Sequence, residues 1–197
     1  MEQIETVLLQ MEKEAAKGGV PIIRPSERDA FLAAAALAAP RRILEIGTAI
    51  GFSALLLAQR FPHAHIDTIE LDEARHRRAG KAVIDAGLSD RVFCHHGDAA
   101  SLIPTMKGPY DLLYLDGPKG QYLRHLHQAE PLLAAKAVIL ADNVLFRGLV
   151  RSQDPVPHRY RTLVMRLRAY LSYVADAYDT TIDEKGDGLS VSRKDIE

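Results

Sequence analysis

Apolar residues recur at three- and four-residue spacing at Ile4, Val7, Leu8 and Met11, which predicts an amphipathic helix over 2–17 closed by Gly18-Gly19. Pro21 and Pro25 mark an extended turn, and Ser26 is expected to cap a second helix that runs to Ala39 and stops at Pro40. From Arg41 the pattern switches. Short apolar runs at 43–47, 65–70, 91–98, 110–116 and 137–143 read as buried strands. Helical periods over 53–61, 72–87, 99–106 and 120–134 alternate with them. That alternation predicts βαβ units and a parallel sheet with right-handed crossovers. The tail predicts a helix over 159–174, then strands at 180–184 and 188–194 joined by the turn Lys185-Gly186-Asp187, an antiparallel hairpin. The fold class is therefore α/β, a doubly wound, mostly parallel sheet of seven strands. One domain is expected over 1–197, with 1–39 a helical cap on a core of 40–197. Only 144–158 is long and irregular, a length that in compact domains often serves function.

Composition narrows the class. Of 197 residues, 47% are hydrophobic and 26% charged, which excludes a disordered or fibrous chain. The formal net charge of −1 gives no global field for DNA or an acidic membrane. The longest apolar run, Ala30 to Ala39, is far short of the ~18 residues a spanning helix needs. The single cysteine, Cys94, excludes an intramolecular disulfide and reads as a small core residue. The N-terminal stretch carries acids among its apolar residues and no basic region, so a cytoplasmic protein is expected.

The first strand runs into ILEIGTAIGFS, with Gly47 and Gly51 four apart between strand and helix. Glycine permits positive φ and close approach of a ligand to the backbone. In open α/β sheets ligands bind beyond the carboxyl ends of the strands, so a nucleotide-like cofactor is expected here. The loop lacks the G-x-G-x-x-G spacing of dinucleotide folds and the Gly-Lys-Ser/Thr of a P-loop. Glu45 would repel a pyrophosphate and favour a cationic or amino group, which points to S-adenosylmethionine (SAM). Ser53, near the positive end of the following helix, is placed to bond the cofactor's carboxylate. Glu70 ends the second strand and is suited to both ribose hydroxyls. Asp98-Ala99 follow the third, where the adenine should lie.

A second constellation carries chemistry. Asp116 ends the fourth strand and Asp142-Asn143 the fifth. Two carboxylates and an amide are hard oxygen ligands suited to Mg²⁺, with positions left for substrate and water. Lys119, three residues beyond Asp116, is placed to take a proton from a hydroxyl. His95-His96 and His125 with His127 are spaced so that neither pair shares a face, and neither is expected to hold a metal.

These motifs, ILEIGTAIGFS with TIELDE, HGDA, LDGPKGQY and ADNVLFRG, resemble the cation-dependent SAM O-methyltransferases of the catechol and caffeoyl-CoA type over about 20–192. The resemblance implies a Rossmann-like SAM-methyltransferase fold. It implies that Asp116, Asp142 and Asn143 bind the metal and that Lys119 is the general base, with Asp116 also close to the cofactor. Ile23, Thr48, Ser53, Glu70, Leu71, Asp98 and Ala99 then line the SAM pocket with Gly47 and Gly51. Gly117-Pro118 departs from the polar or alanine pair usual before the lysine. VPII, KGQY and GDGLSVS most resemble the bacterial tRNA 5-hydroxyuridine methyltransferases, which implies a tRNA partner, 5-methoxyuridine as product and a homodimer.

Residues 144–168 hold six arginines (Arg147, Arg151, Arg159, Arg161, Arg166 and Arg168) against one acid, Asp154. Such a patch suits phosphates, and Tyr160 could stack on a base. Arg147, Arg151 and Tyr160 are therefore the candidate RNA contacts. A small catechol or phenol, an acyl-CoA phenolic ester, or non-catalytic SAM binding are the alternatives.

Overall fold

A computed structural model describes residues 2–17 and 20–194, so the expected Gly18-Gly19 stop lies outside the described residues. The elements are α1 (Glu2–Ala16), α2 (Pro25–Ala36), β1 (Arg42–Ile46), α3 (Phe52–Arg60), β2 (His65–Glu70), α4 (Glu73–Asp85) and β3 (Val92–His96). Then come α5 (Ala99–Leu102), β4 (Tyr110–Leu115), α6 (Tyr122–Ala129), β5 (Leu133–Ala141), α7 (Arg161–Ala177), β6 (Asp179–Asp183) and β7 (Leu189–Arg193). They build one seven-stranded sheet in the order β3-β2-β1-β4-β5-β7-β6. The first five strands are parallel, and β7 runs antiparallel to both β5 and β6. The winding reverses between β1 and β4, so the crevice of a doubly wound sheet opens at their carboxyl ends.

Both faces of the sheet are covered, which is why its central strands are apolar on both sides. On one face Ile43, Leu112, Tyr114, Val138 and Leu140 pack with α1, α2, α3 and α4. On the other Leu44, Ile46, Leu113, Leu115 and Ile139 pack with α6 and α7. Ile4, Leu8 and Met11 bury the apolar stripe of α1 in the first of these cores. Among the described residues no helix is long and apolar enough to cross a membrane.

Several boundaries differ from the sequence reading for local reasons. Helix α2 starts at Pro25, with Arg24 in the capping position, so Ser26 is not a cap but a residue of the first turn. Proline supplies the helical φ there without needing an N–H partner. The predicted 120–134 helix is only α6, bracketed by single 3₁₀ turns at Lys119–Gln121 and Glu130–Leu132. Pro131 ends the helix, and β5 starts at Leu133, paired with Tyr110. Alanine and leucine at 132–135 fit helix and strand equally, so only pairing with β4 decides. Cys94 is half-buried against the first core, and burial pushes its thiol up to about 11.

Candidate active site

The β1–α3 loop is shaped by Gly47. Its φ is +102°, and a Cβ there would stand 2.5 Å from the Asp116 carbonyl oxygen. Only glycine lets the end of β1 close against the end of β4. Gly51 also has a positive φ, and a Cβ there would meet the Ala79 Cβ at 3.3 Å, so it seats α3 on α4. Between them Ala49 takes the left-handed conformation and donates its N–H to Glu70 Oε2 at 2.8 Å. Glu70 Oε1 accepts from the Asp72 N–H at 2.9 Å. The Glu70 carboxylate is thus oriented by two backbone donors, and each oxygen keeps a lone pair for a ligand.

Two cavities meet at this loop. The larger, about 700 Å³, runs from Gly47 and Ala49 past Glu70 and Leu71 to Asp98, Ala99 and His125. The smaller, about 390 Å³, is lined by Ile23, Thr48, Ser53, Lys119, Asp142 and Asn143. Gly47, Ala49, Arg75 and Asp116 border both. The structure therefore brings all the sequence-predicted cofactor and metal residues to one crevice, except Glu45 and Gly51.

Glu45 is a correction. It was expected to meet the cofactor's cationic or amino group, yet it has no exposed surface and lines neither cavity. Its Oε1 accepts from Ser53 Oγ and its Oε2 from Thr68 Oγ1, each at 2.5 Å. Thr48 Oγ1 lies 2.6 Å from Thr68 Oγ1, which extends the chain of hydroxyls toward the smaller cavity. Desolvation by burial raises the Glu45 carboxyl to about 7, although both hydroxyls lower it. Ser53, read as a partner for a cofactor carboxylate, spends its proton on Glu45. Alternation along β1 turns Glu45 toward α3, a point that register fixes and residue type does not.

Asp116 follows β4 and Asp142 follows β5. The Asp116 N–H donates to the Ile46 carbonyl and the Asp142 N–H to the Leu115 carbonyl, which extends the ladder to both carboxylates. Burial, then the charge of Asp142, raises Asp116 to about 7. Burial raises Asp142 as well, against the N–H of Asn143 donated to its Oδ1 at 2.8 Å. Asn143 sits in the left-handed region, which asparagine tolerates. Tyr122 donates its hydroxyl to the Asp142 carbonyl at 3.0 Å and fixes that turn. Lys119 Nζ stands 3.9 Å from Asp116 Oδ1. Gly117 packs against the end of β1, where a Cβ would stand 3.3 Å from Ile46 Cγ2. Two half-buried carboxylates, the charge of one raising the other, beside an amide make a donor set that fits a hard divalent cation. Among the described residues no three His, Cys, Asp or Glu side chains gather around one point, so Asn143 is needed to complete a set of three.

Part of the arginine patch is engaged within the chain. Arg151 pairs with Glu184. Arg168 donates to the carbonyls of Leu149, Val150 and Ser152 and holds the 144–158 loop. Arg161 donates to the Val156 carbonyl. Tyr160 packs edge-to-face with Phe146, and the Arg159 guanidinium lies over its ring at 4.6 Å from the centroid. Arg147 lies near the Phe146 ring in a left-handed turn, its N–H held by Asp187 Oδ1 at 2.5 Å. His95 binds Asp67, which also accepts from Tyr110, and His96 Nε2 lies 3.2 Å from the Leu71 carbonyl. Sequence reasoning missed Arg24, Glu27 and Asp187 on the smaller cavity and His125 on the larger, since each comes from a segment read as turn or helix surface.

The comparisons agree with this geometry. The family model for O-methyltransferases matches residues 3–194. A catechol O-methyltransferase of Mycobacterium tuberculosis is 32% identical over 157 residues, which is 77% of this chain and 71% of that protein. The methyltransferase PaMTH1 of Podospora anserina, solved with S-adenosylhomocysteine (SAH) bound, superposes with a TM-score of 0.82 at 25% identity, covering 96% of this chain and 88% of its own. The O-methyltransferase TomG of Streptomyces achromogenes, involved in tomaymycin synthesis and solved with SAM, gives 0.79 at 26% identity over 95% and 88% of the two chains. The fold and its crevice thus define a SAM-dependent O-methyltransferase. The chain belongs to the O-methyltransferase family, of the class that includes catechol enzymes.

Proposed function

We propose that this enzyme methylates one oxygen of a vicinal pair on a small planar ring, with a divalent cation held by Asp116, Asp142 and Asn143. The observation that carries the reading is the pair of half-buried carboxylates, both raised, on the wall of a cavity of about 390 Å³. Such a pair is costly unless a cation neutralises it. When bound, SAM supplies a sulfonium methyl and Mg²⁺ supplies Lewis acidity and charge neutralisation. Glu70 orients the ribose of the donor in the larger cavity, and Asp116 stands where the two cavities join. Lys119 takes the proton of the acceptor hydroxyl. The oxygen then bonds to the methyl carbon as the carbon–sulfur bond breaks, leaving SAH. Orientation between two preformed cavities supplies much of the rate gain. A catechol is the simplest acceptor of this kind.

A second reading is 5-hydroxyuridine in tRNA, whose 5-hydroxyl and C4 carbonyl are also vicinal oxygens. What favours it is the exposed cluster of Arg147 and Arg159 on Phe146 and Tyr160, directly after Asn143. Transfer of labelled methyl from SAM is measured with Mg²⁺, in parallel, to a catechol and to tRNA carrying 5-hydroxyuridine. Label in catechol is expected. Label in tRNA alone selects the second reading, and undiminished transfer in EDTA removes the cation from both.

A further inference from the structure

Tyr122 makes a contact that the proposed reaction does not use. It is the first residue of α6, three residues beyond Lys119 and directly after the 3₁₀ turn Lys119–Gln121. It is 1% exposed, and its ring lies edge-to-face on Tyr170 with centroids 5.7 Å apart. The Tyr170 hydroxyl in turn lies 3.3 Å from Ser190 Oγ of β7. A column of buried side chains thus runs from β7 through α7 and α6 to the end of β5. At its head the Tyr122 hydroxyl donates to the Asp142 carbonyl at 3.0 Å. Burial is the leading cause that holds this hydroxyl well above its ordinary pKa, so it stays a donor.

The peptide that Tyr122 grips joins two of the proposed cation ligands. Rotating it would move the Asp142 and Asn143 side chains together. Its N–H, which belongs to Asn143, is donated to Asp142 Oδ1 at 2.8 Å. That bond lies within the ligand pair and ties neither residue to the rest of the fold. Asn143 has a φ of +55°, a conformation that costs a residue with a side chain and persists where its surroundings fix it. The Tyr122 bond to the other end of the peptide supplies such a fixture, from a helix that itself carries no cation ligand. Groups that orient a metal's ligands tune its affinity without touching the ion.

We propose that Tyr122 is a positioning residue for the cation: its hydroxyl fixes the peptide between Asp142 and Asn143 and so presents both side chains to one ion. The inference rests on the cation reading of Asp116, Asp142 and Asn143. Tyr122 lines neither cavity, so its hydroxyl acts on the cation through that peptide and leaves the methyl donor untouched.

The test reads binding and needs no turnover. Mn²⁺ stands in for Mg²⁺, because its free ion gives an electron paramagnetic resonance signal. The Kd of Mn²⁺ by that signal, and of SAH by calorimetry, is measured for the wild type, Tyr122→Phe and Tyr170→Phe. Tyr122→Phe keeps the ring on Tyr170 and removes only the donor. It is expected to weaken Mn²⁺ about tenfold, the lower end of what losing a bond to a metal ligand costs. SAH should bind within about twofold of the wild type, which also shows that the variant is folded. Tyr170→Phe removes a hydroxyl of the same column that does not reach the Asp142 carbonyl, and should hold Mn²⁺ within about twofold. Unchanged Mn²⁺ affinity in Tyr122→Phe overturns the proposal. An equal loss in Tyr170→Phe, or a matching loss of SAH, also overturns it and marks a packing role. A wild type that binds no Mn²⁺ overturns the cation reading itself, and the proposal with it.

Discussion

Glu45 shows how much one buried side chain can shape the protein's response to pH. Its carboxyl is raised from 4.5 to about 7 by burial, so the folded chain holds that proton more tightly than the unfolded chain does. The folded state therefore binds more protons between about pH 4.5 and 7, and the sign follows: stability is highest below that window and falls as pH rises through it. A displacement of that size corresponds to roughly 3 kcal/mol. Glu45→Gln is expected to lose the decline, because a neutral amide carries no charge to bury; its oxygen accepts from one hydroxyl and its NH2 donates to the other, which reverses that bond. Thermal melting of both proteins from pH 4 to pH 8 checks this. The variant should gain on the wild type as pH rises, and parallel curves would show that Glu45 titrates alike in the folded and unfolded chain. The residue type was plain in the sequence, but its direction was not. Glu45 pairs with Thr68 on β2 and with Tyr114 on β4, and that register buries it.

At the scale of elements, the 144–158 loop is held by a helix rather than by its own sequence. Arg168 of α7 reaches three carbonyls of the loop, and Asp187 of the β6–β7 turn accepts from Arg147 and, through its carbonyl, from Leu145. These contacts offset the strain of left-handed Phe146 and Arg147. Arg168→Ala is expected to raise the KM for the methyl acceptor severalfold with little change in the Kd of SAH, since the loop follows directly on Asn143 of the smaller cavity and none of its residues lines the larger one. Hydrogen exchange of the amides at 149–152 should quicken in the same variant; unchanged exchange would show that the loop stands without Arg168. Helix periodicity predicted α7 well, because its stripe of Val164, Leu167, Tyr170 and Val174 is buried against the sheet. The same pattern did not show that Arg151, Arg161 and Arg168 are engaged within the chain. An arginine's stem and head can serve solvent, a carboxylate or a backbone carbonyl, and only the neighbouring chain selects among them.

For the whole molecule, the controlling fact is the reversal of winding between β1 and β4, which gathers residues as far apart as Ile23 and Asp187 into one crevice. Cofactor and cation residues come from different strand ends, so their losses should separate. Asp142→Ala is expected to lower methyl transfer at least a hundredfold in Mg²⁺ while SAH binds within about twofold of the wild type, consistent with removing one ligand of a charge-stabilising cation. EDTA should reproduce both effects in the wild type. Loss of SAH binding in the variant would place Asp142 in the donor site instead.

The sequence by itself determined the order and type of the elements, the parallel sheet with its antiparallel end, and the acids and glycines at the strand ends. Those features depend on local periodicity and on backbone demands that residues such as Gly47 declare directly. Tertiary structure alone decided that Glu45 is an internal anchor, that β5 begins at Leu133, that Arg151 and Arg168 are bound within the chain, and that His125 is buried. Each of these turns on which distant segment lies opposite a side chain. That is a property of strand register and helix packing, and no local pattern records it.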